Sequence, residues 1–368
     1  MSKTLSVAIM ILMVATAAGA WAANKTVTDA AGRKIDVPES VQRVICSGPG
    51  ALRLLVYLQA QEAVVAVDDI EKRRSQFDAR PYGMSNPQLK SLPMFGQFRG
   101  YDNPELILAL NPQPQLIFKT YPTMGHDPVE LQQKTGIPVV ILNYGDLGDN
   151  RQDLYQALRI MGQCMNKEKR AEEVIDFFES HINDLKKRVE GIPESSRPSC
   201  YVGGIAFKGP HGFQSTEPAY PPFGFVQARN VAFDPATQVK ALRHSNVSKE
   251  KIVEWDPDFL FLDLSSLQMG DEAGALYELK TDPAYQNLTA VKKGNVYGLL
   301  PYNWYAQNFG SILANGYFLG KLLYPERFHD IDPQAKADEI YTFLVGKPVF
   351  GQMDSMFHGM VFKRIECD

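Results

Sequence analysis

From Lys167 to Glu190 the chain keeps one unbroken apolar stripe. Ala171, Val174, Ile175, Phe178, Ile182, Leu185 and Val189 recur three and four residues apart, which places them on one face of a helix. At 1.5 Å per residue that helix runs roughly 36 Å, longer than a typical globular helix. Gly191-Ile192-Pro193 ends it with a Gly/Pro stop. A rod of this length divides the chain into a stretch before it and a stretch after it.

Both stretches alternate short β-branched runs with helical patterns. Before the rod, Thr26–Val37 reads as a hairpin with Ala-Gly at its turn. Val41–Cys46, Ala63–Val67, Leu116–Phe118 and Val139–Leu142 read as strands, and Ala51–Leu58, Pro104–Leu110, Val129–Thr135 and Asp153–Cys164 as helices. A polar, Pro-containing stretch runs up to Pro93. After the rod, Ser199–Ile205, Asp258–Leu262 and Asn295–Gly298 read as strands, and Lys249–Glu254 and Phe309–Leu323 as helices. Such alternation gives βαβ units and a mostly parallel sheet, an α/β fold in two halves. A chain of 368 residues is long enough for two domains.

The halves share a local signature. Asn103-Pro104-Glu105-Leu106-Ile107 leads through Asn111-Pro112 to an apolar strand. Ser248-Lys249-Glu250-Lys251-Ile252 leads through Asp256-Pro257 to another. The offset is 145 residues at Glu, Ile and Pro alike. Asn or Ser caps the helix, and a first-turn Glu suits the positive end of its dipole.

The first 22 residues have the grammar of a secretory signal peptide: Lys3, the apolar run Leu5–Ala18, and the small-x-small site Ala20-Trp21-Ala22. The run is shorter than the roughly 20 residues that span a bilayer. The expected mature chain is exported to a periplasm, with no later stretch able to cross a membrane. Lys+Arg 38 against Asp+Glu 42 gives a net charge of -4, which argues against nucleic acid as a partner. Cys46, Cys164, Cys200 and Cys367 are too widely spaced for a zinc ribbon or a redox C-x-x-C. They allow three pairings or free buried thiols. No G-x-S-x-G, P-loop, G-x-G-x-x-G or H-x-x-H is present, so catalysis and a zinc site built by the chain are not expected.

Five stretches together resemble the class III, helical-backbone periplasmic substrate-binding proteins of ABC importers for ferric siderophores, haem and vitamin B12. They are VTDAAGRKIDVPESVQRVI, GQFRGYDNPELILALNPQPQLIF, the long helix, KIVEWDPDFLFLDL and NWYAQNFGSILANGYFLGKLLYPERF. The resemblance implies two Rossmann-like lobes, 23–164 and 194–368, joined by one long rigid helix within 165–193, with the ligand groove between the lobes. It implies a monomeric receptor with no cofactor of its own, whose metal arrives inside the ligand. It also implies that Glu105 and Glu250 dock to the membrane permease subunits.

In open α/β sheets ligands sit beyond the carboxyl ends of strands. In the first lobe this selects Ser47, Gly48, Pro49 and Gly50, then Phe98, Arg99, Gly100 and Tyr101, then Lys119, Thr120 and Tyr121. In the second it selects Phe207, His211 and Tyr220 from the Pro-stiffened segment 207–225, and Tyr302, Asn303 and Trp304. Arg99 suits an acidic ligand group. His126 and His211 fall on groove loops. The aromatic loops favour an iron chelate or corrinoid. The polar groups Ser47–Gly50, Arg99, Asn303 and Asn308 suit a molybdate or tungstate oxyanion as the alternative.

Overall fold

The computed structural model describes residues 24–73, 76–233 and 244–367; the expected signal peptide lies outside them. In the first half, strands Val44–Ser47, Leu116–Thr120 and Val139–Leu142 form a parallel sheet in that spatial order. All three are buried along their whole length, as both faces of a helix-covered parallel sheet require. A smaller sheet, Val67–Asp68, Met94–Gln97 and Tyr101–Asp102, continues beside it. The second half has a four-stranded parallel sheet ordered Arg229–Asn230, Ser199–Gly203, Phe259–Asp263 and Val296–Leu299.

The opening hairpin pairs Asn24–Thr28 with Lys34–Pro38. Its turn closes around Asp29, whose carboxylate accepts from the amides of Ala31, Arg33 and Ile141 and from the Arg33 guanidinium. The last strand of the first sheet is thereby stitched to the chain's start. The repeated signature is realised as capped helices in both halves. The Asn103 side chain accepts from the Leu106 amide at 2.9 Å, and that of Ser248 from the Lys251 amide at 3.3 Å. Each helix is followed by a buried strand of its own sheet.

The long stripe is the helix Glu168–Arg188. Helix Arg151–Met165 precedes it through a left-handed Asn166, and the two pack together. The long helix also packs on Phe309–Leu323 of the second half. Arg170 bonds to the Tyr57 carbonyl on one side and the Phe343 carbonyl on the other, and Phe177 stacks on Phe343 at 3.9 Å. Helix Pro333–Val345 lies against both Ala51–Tyr57 and Pro81–Ser85. One apolar core therefore runs through both halves.

Two sequence expectations differ in detail. Ala63–Val67 is not a continuous strand: Gln61–Ala63 is a short 3-10 turn, Val64 makes a single bridge to Val44, and the strand begins at Val67. The segment 207–225 is not all loop, since Ser215–Thr216 is a strand and Pro221–Phe225 a helix. Cys46, Cys164 and Cys200 are free thiols, and all four cysteines are buried.

Candidate functional site

The carboxyl ends of the two sheets meet at a seam, and Arg53 is its most constrained group. It sits in Ala51–Tyr57, a helix every residue of which is buried. Only 1% of Arg53 is exposed, yet no carboxylate pairs with it among the described residues. Its guanidinium crosses to the second half instead. One terminal nitrogen donates to the Tyr144 hydroxyl and to the Gln307 carbonyl at 2.9 Å. The other donates to the carbonyls of Trp304 at 2.9 Å and Tyr305 at 3.3 Å. Its buried Nε has no hydrogen-bond partner. Burial opposes the charge, but the hydroxyls of Tyr144, Tyr57 and Tyr82 more than offset it and raise the pKa.

The segment that meets Arg53 is a tight hairpin. Asn303 and Gln307 pair across it, and its tip residues Tyr305 and Ala306 are both left-handed, at φ 49 and 69. Such tips favour Asn and Gly, and each non-Gly residue there costs on the order of 1 kcal/mol. Contacts at every level hold the strained tip. At its base the Tyr302 amide donates to Asp263, and the Asn303 side chain to the Ala206 carbonyl. The Asn308 amide side chain donates to the Ala79 carbonyl of the first half at 3.1 Å. The Tyr144 hydroxyl donates to the Gln307 carbonyl at 2.8 Å. At the tip the Tyr305 hydroxyl donates to Asp68 Oδ2 at 2.6 Å and accepts from the Arg99 amide at 3.1 Å.

Asp68 opens onto a cavity of about 10 Å³, room for one water molecule, lined by Cys46, Gly48, Asp68, Glu71 and Tyr305 among others. Its Oδ1 is buried without a partner. Burial raises the Asp68 carboxyl to about 7, against the lowering effect of the Tyr305 hydrogen bond. Behind it Glu71 accepts from the Tyr82 hydroxyl at 2.6 Å and pairs with Arg80 at 3.0 Å, while Arg80 also pairs with Asp78 at 2.6 Å. A second buried pair closes the first sheet's carboxyl end. Lys119 donates to Asp102 at 2.6 Å, Ser47 Oγ at 3.1 Å and the Gly100 carbonyl at 3.1 Å.

The predicted groove residues fall into two groups. At the mouth, Phe98 is flanked by the guanidinium groups of Arg73 at 4.3 Å and Arg99 at 5.0 Å, with Tyr305 at 6.3 Å. In the second half Phe207 stacks on His244 at 4.4 Å, with His211 5.5 Å from His244. Trp304, Asn303 and Tyr121 are half-buried, and Tyr121 lies 6.1 Å from Tyr144. Tyr101 is 55% exposed and meets His126 edge-on. The second group is interior. Tyr220 and Tyr302 pack edge-to-face in the second half's core. The Tyr302 hydroxyl meets Glu217 at 3.1 Å and Gln307 at 2.7 Å. Phe213, Phe223 and Phe225 are also buried.

Ser47, Gly48 and Pro49 lie beneath the surface as well. Thr120 Oγ1 donates to the Pro49 carbonyl, and the short helix they lead into begins under the Tyr144 ring. Glu105 and Glu250 stand exposed in the first turns of their capped helices. No group of three or more His, Cys, Asp or Glu is placed to hold a metal among the described residues.

Arg53, Asp68, Glu71, Arg80 and Tyr144 escape the sequence reading. Arg53 left a signal as the one charge in ALRLLVY, and Lys119, selected with Thr120 and Tyr121, is likewise the one charge in LIFKT. A lone cation inside an all-apolar element is buried with it and needs a partner.

The sequence profile of the periplasmic binding protein family matches residues 44–302. The molybdate-binding protein MolA of Haemophilus influenzae is 23% identical over 347 residues, 87% of this chain and 90% of that protein. Its molybdate-bound structure superposes with a TM-score of 0.67 at 20% identity, covering 88% of this chain and 98% of that one. An iron-uptake system-binding protein of Bacillus subtilis is 24% identical over 195 residues, spanning 53% of this chain and 54% of that protein. The periplasmic heme-binding protein HutB of Vibrio cholerae superposes with a TM-score of 0.55 at 20% identity, covering 77% and 100%. These likenesses carry the fold, and the profile match runs from the first buried strand of one half to the hairpin of the other: the chain belongs to the periplasmic binding protein family.

Proposed function

We propose that this chain is the periplasmic receptor of an ABC importer and carries an anionic iron chelate, a siderophore or haem, or a corrinoid. The observation that carries this reading is the mouth of the seam. There a half-buried Phe98 between Arg73 and Arg99 meets the ring of Tyr305 from the other half at 6.3 Å. Aromatic faces with cations stacked on them suit a ligand that is both large and negatively charged. Phe98, Arg99, Tyr101, Tyr121, Phe207, His211, Asn303 and Trp304 would touch it. Ser47, Gly48, Pro49, Tyr220 and Tyr302 would back those residues from inside. The lobes would be 23–164 and 194–368 with the long helix between them. Glu105 and Glu250, exposed at matching places, would engage the permease.

A molybdate or tungstate ligand is the second reading. It is favoured by MolA, which matches most of the chain. The family's members named above are binding proteins, and no catalytic role is proposed. No described helix is long and apolar enough to cross a membrane.

Protein purified from its own periplasm and measured by native mass spectrometry tests the proposal, because a co-purified ligand reports its mass. A visible absorbance band together with a chelate mass is the expected result. A colourless protein carrying a tetrahedral oxyanion selects the second reading.

A further inference from the structure

We infer that Arg53 is the residue that recognises the acidic group of the solute, and that this group takes the place that the carbonyls of the hairpin 303–307 hold at the guanidinium. This rests on the receptor reading above. A guanidinium is rarely buried without an anion, because desolvating the charge costs several kcal/mol that neutral acceptors repay poorly. Here four neutral oxygens take its terminal donors and Nε is left without a partner. Three of the four are carbonyls of one hairpin. A carboxylate or oxyanion accepts from the same planar fork with roughly twice the strength.

The hairpin is suited to yield. Two consecutive non-glycine residues at its tip are left-handed, so its closed form persists only through the contacts that hold it, those of Arg53 and Asp68 at the tip among them. Its movement needs no separation of the halves, whose shared core can stay packed. An acidic ligand group at Arg53 gains a charge-assisted pair, fills the donor at Nε and releases the strained tip. Chelate carboxylates and free tetrahedral oxyanions share this chemistry.

The test measures affinity by calorimetric titration with three probes: sodium molybdate, ferric citrate and a neutral ferric tris-hydroxamate. Wild-type protein is expected to bind one of the two anionic probes. Arg53→Gln is expected to weaken that binding roughly ten- to a hundredfold, the worth of a charged hydrogen bond, with Arg53→Lys intermediate. Tyr305→Phe removes a pin of the hairpin and not of the ligand, so it is expected to tighten binding several-fold. A merely structural Arg53 would make Tyr305→Phe weaken binding too, and that result overturns the inference. So does equal binding of the anionic probe by wild type and Arg53→Gln, or binding of the neutral hydroxamate alone; both leave the receptor reading standing. Binding of none of the three by wild type overturns the inference as well, and the receptor reading then stands or falls on the co-purified ligand. If Arg53→Gln does not fold by circular dichroism, the Arg53→Lys and Tyr305→Phe pair decides by the same signs.

Discussion

The hydroxyl of Tyr305 reaches across the seam and donates a 2.6 Å hydrogen bond to Asp68, 237 positions away in the chain. The acceptor is a carboxyl that burial has raised to about 7 from an ordinary value of 3.8. Between those two values the folded state holds a proton that the unfolded chain has released. Stability therefore falls as pH rises from about 4 to about 7, and the loss is complete above that. Glu71 and Asp263 are also raised by burial and act in the same direction, Asp263 to about 6. Asp68→Asn should remove the Asp68 share. Its gain over wild type in urea unfolding should be larger at pH 8 than at pH 5, by up to a few kcal/mol. An equal gain at both values would mean that Asp68 does not titrate there.

Lys119 and Asp102 form a fully buried pair at 2.6 Å. Lys119→Met should cost about 3–5 kcal/mol in chemical denaturation, because it strands a carboxylate in the core. Adding Asp102→Leu should restore most of that loss. A double variant as weak as the single would show that the pair's other bonds, to Ser47 and Gly100, matter more.

Gly50 has φ 82, and a Cβ there would lie 2.1 Å from Cε2 of Tyr144. Gly32 has φ 77 with nothing within 4 Å. Gly32→Ala should thus cost only the backbone term, about 1–2 kcal/mol. Gly50→Ala should cost clearly more and should also disturb anion binding, since Tyr144 bonds both Arg53 and the hairpin. Equal unfolding midpoints for the two variants would contradict this.

Glu105 and Glu250 are exposed and lie 145 residues apart at matching places in two repeated units. The Glu105→Ala/Glu250→Ala double variant should keep its ligand affinity and melting temperature and lose solute uptake in cells with the cognate permease. Full uptake by the double variant would remove the docking role.

Much of the architecture was legible because it is local. Val139–Leu142 and Phe309–Leu323 fall where their apolar periodicity put them, and the long stripe is a helix within two residues of its predicted ends. Asn103 and Ser248 cap as their types demand. The groove was less legible. Tyr220 and Tyr302, chosen for being aromatic near a strand end, have rings buried in the core, while Phe98 is half-buried and Phe207 exposed. Composition does not separate the two cases, because a ring on a loop points inward or outward according to what the rest of the chain packs against it.

The sequence by itself determined an alternation of short strands and helices, a long helix and paired capped helices. Those follow from spacing and capping chemistry within windows of about twenty residues, while the family came from the resemblance of five longer stretches. Only the tertiary structure decided that the carbonyls of 304, 305 and 307 fill the donors of Arg53 and that Asp68 meets Tyr305. Each of these joins residues more than 200 positions apart, and burial sets the protonation of Asp68. A charge's partner and its dielectric surroundings are properties of the packed seam, so no stretch of sequence carries them.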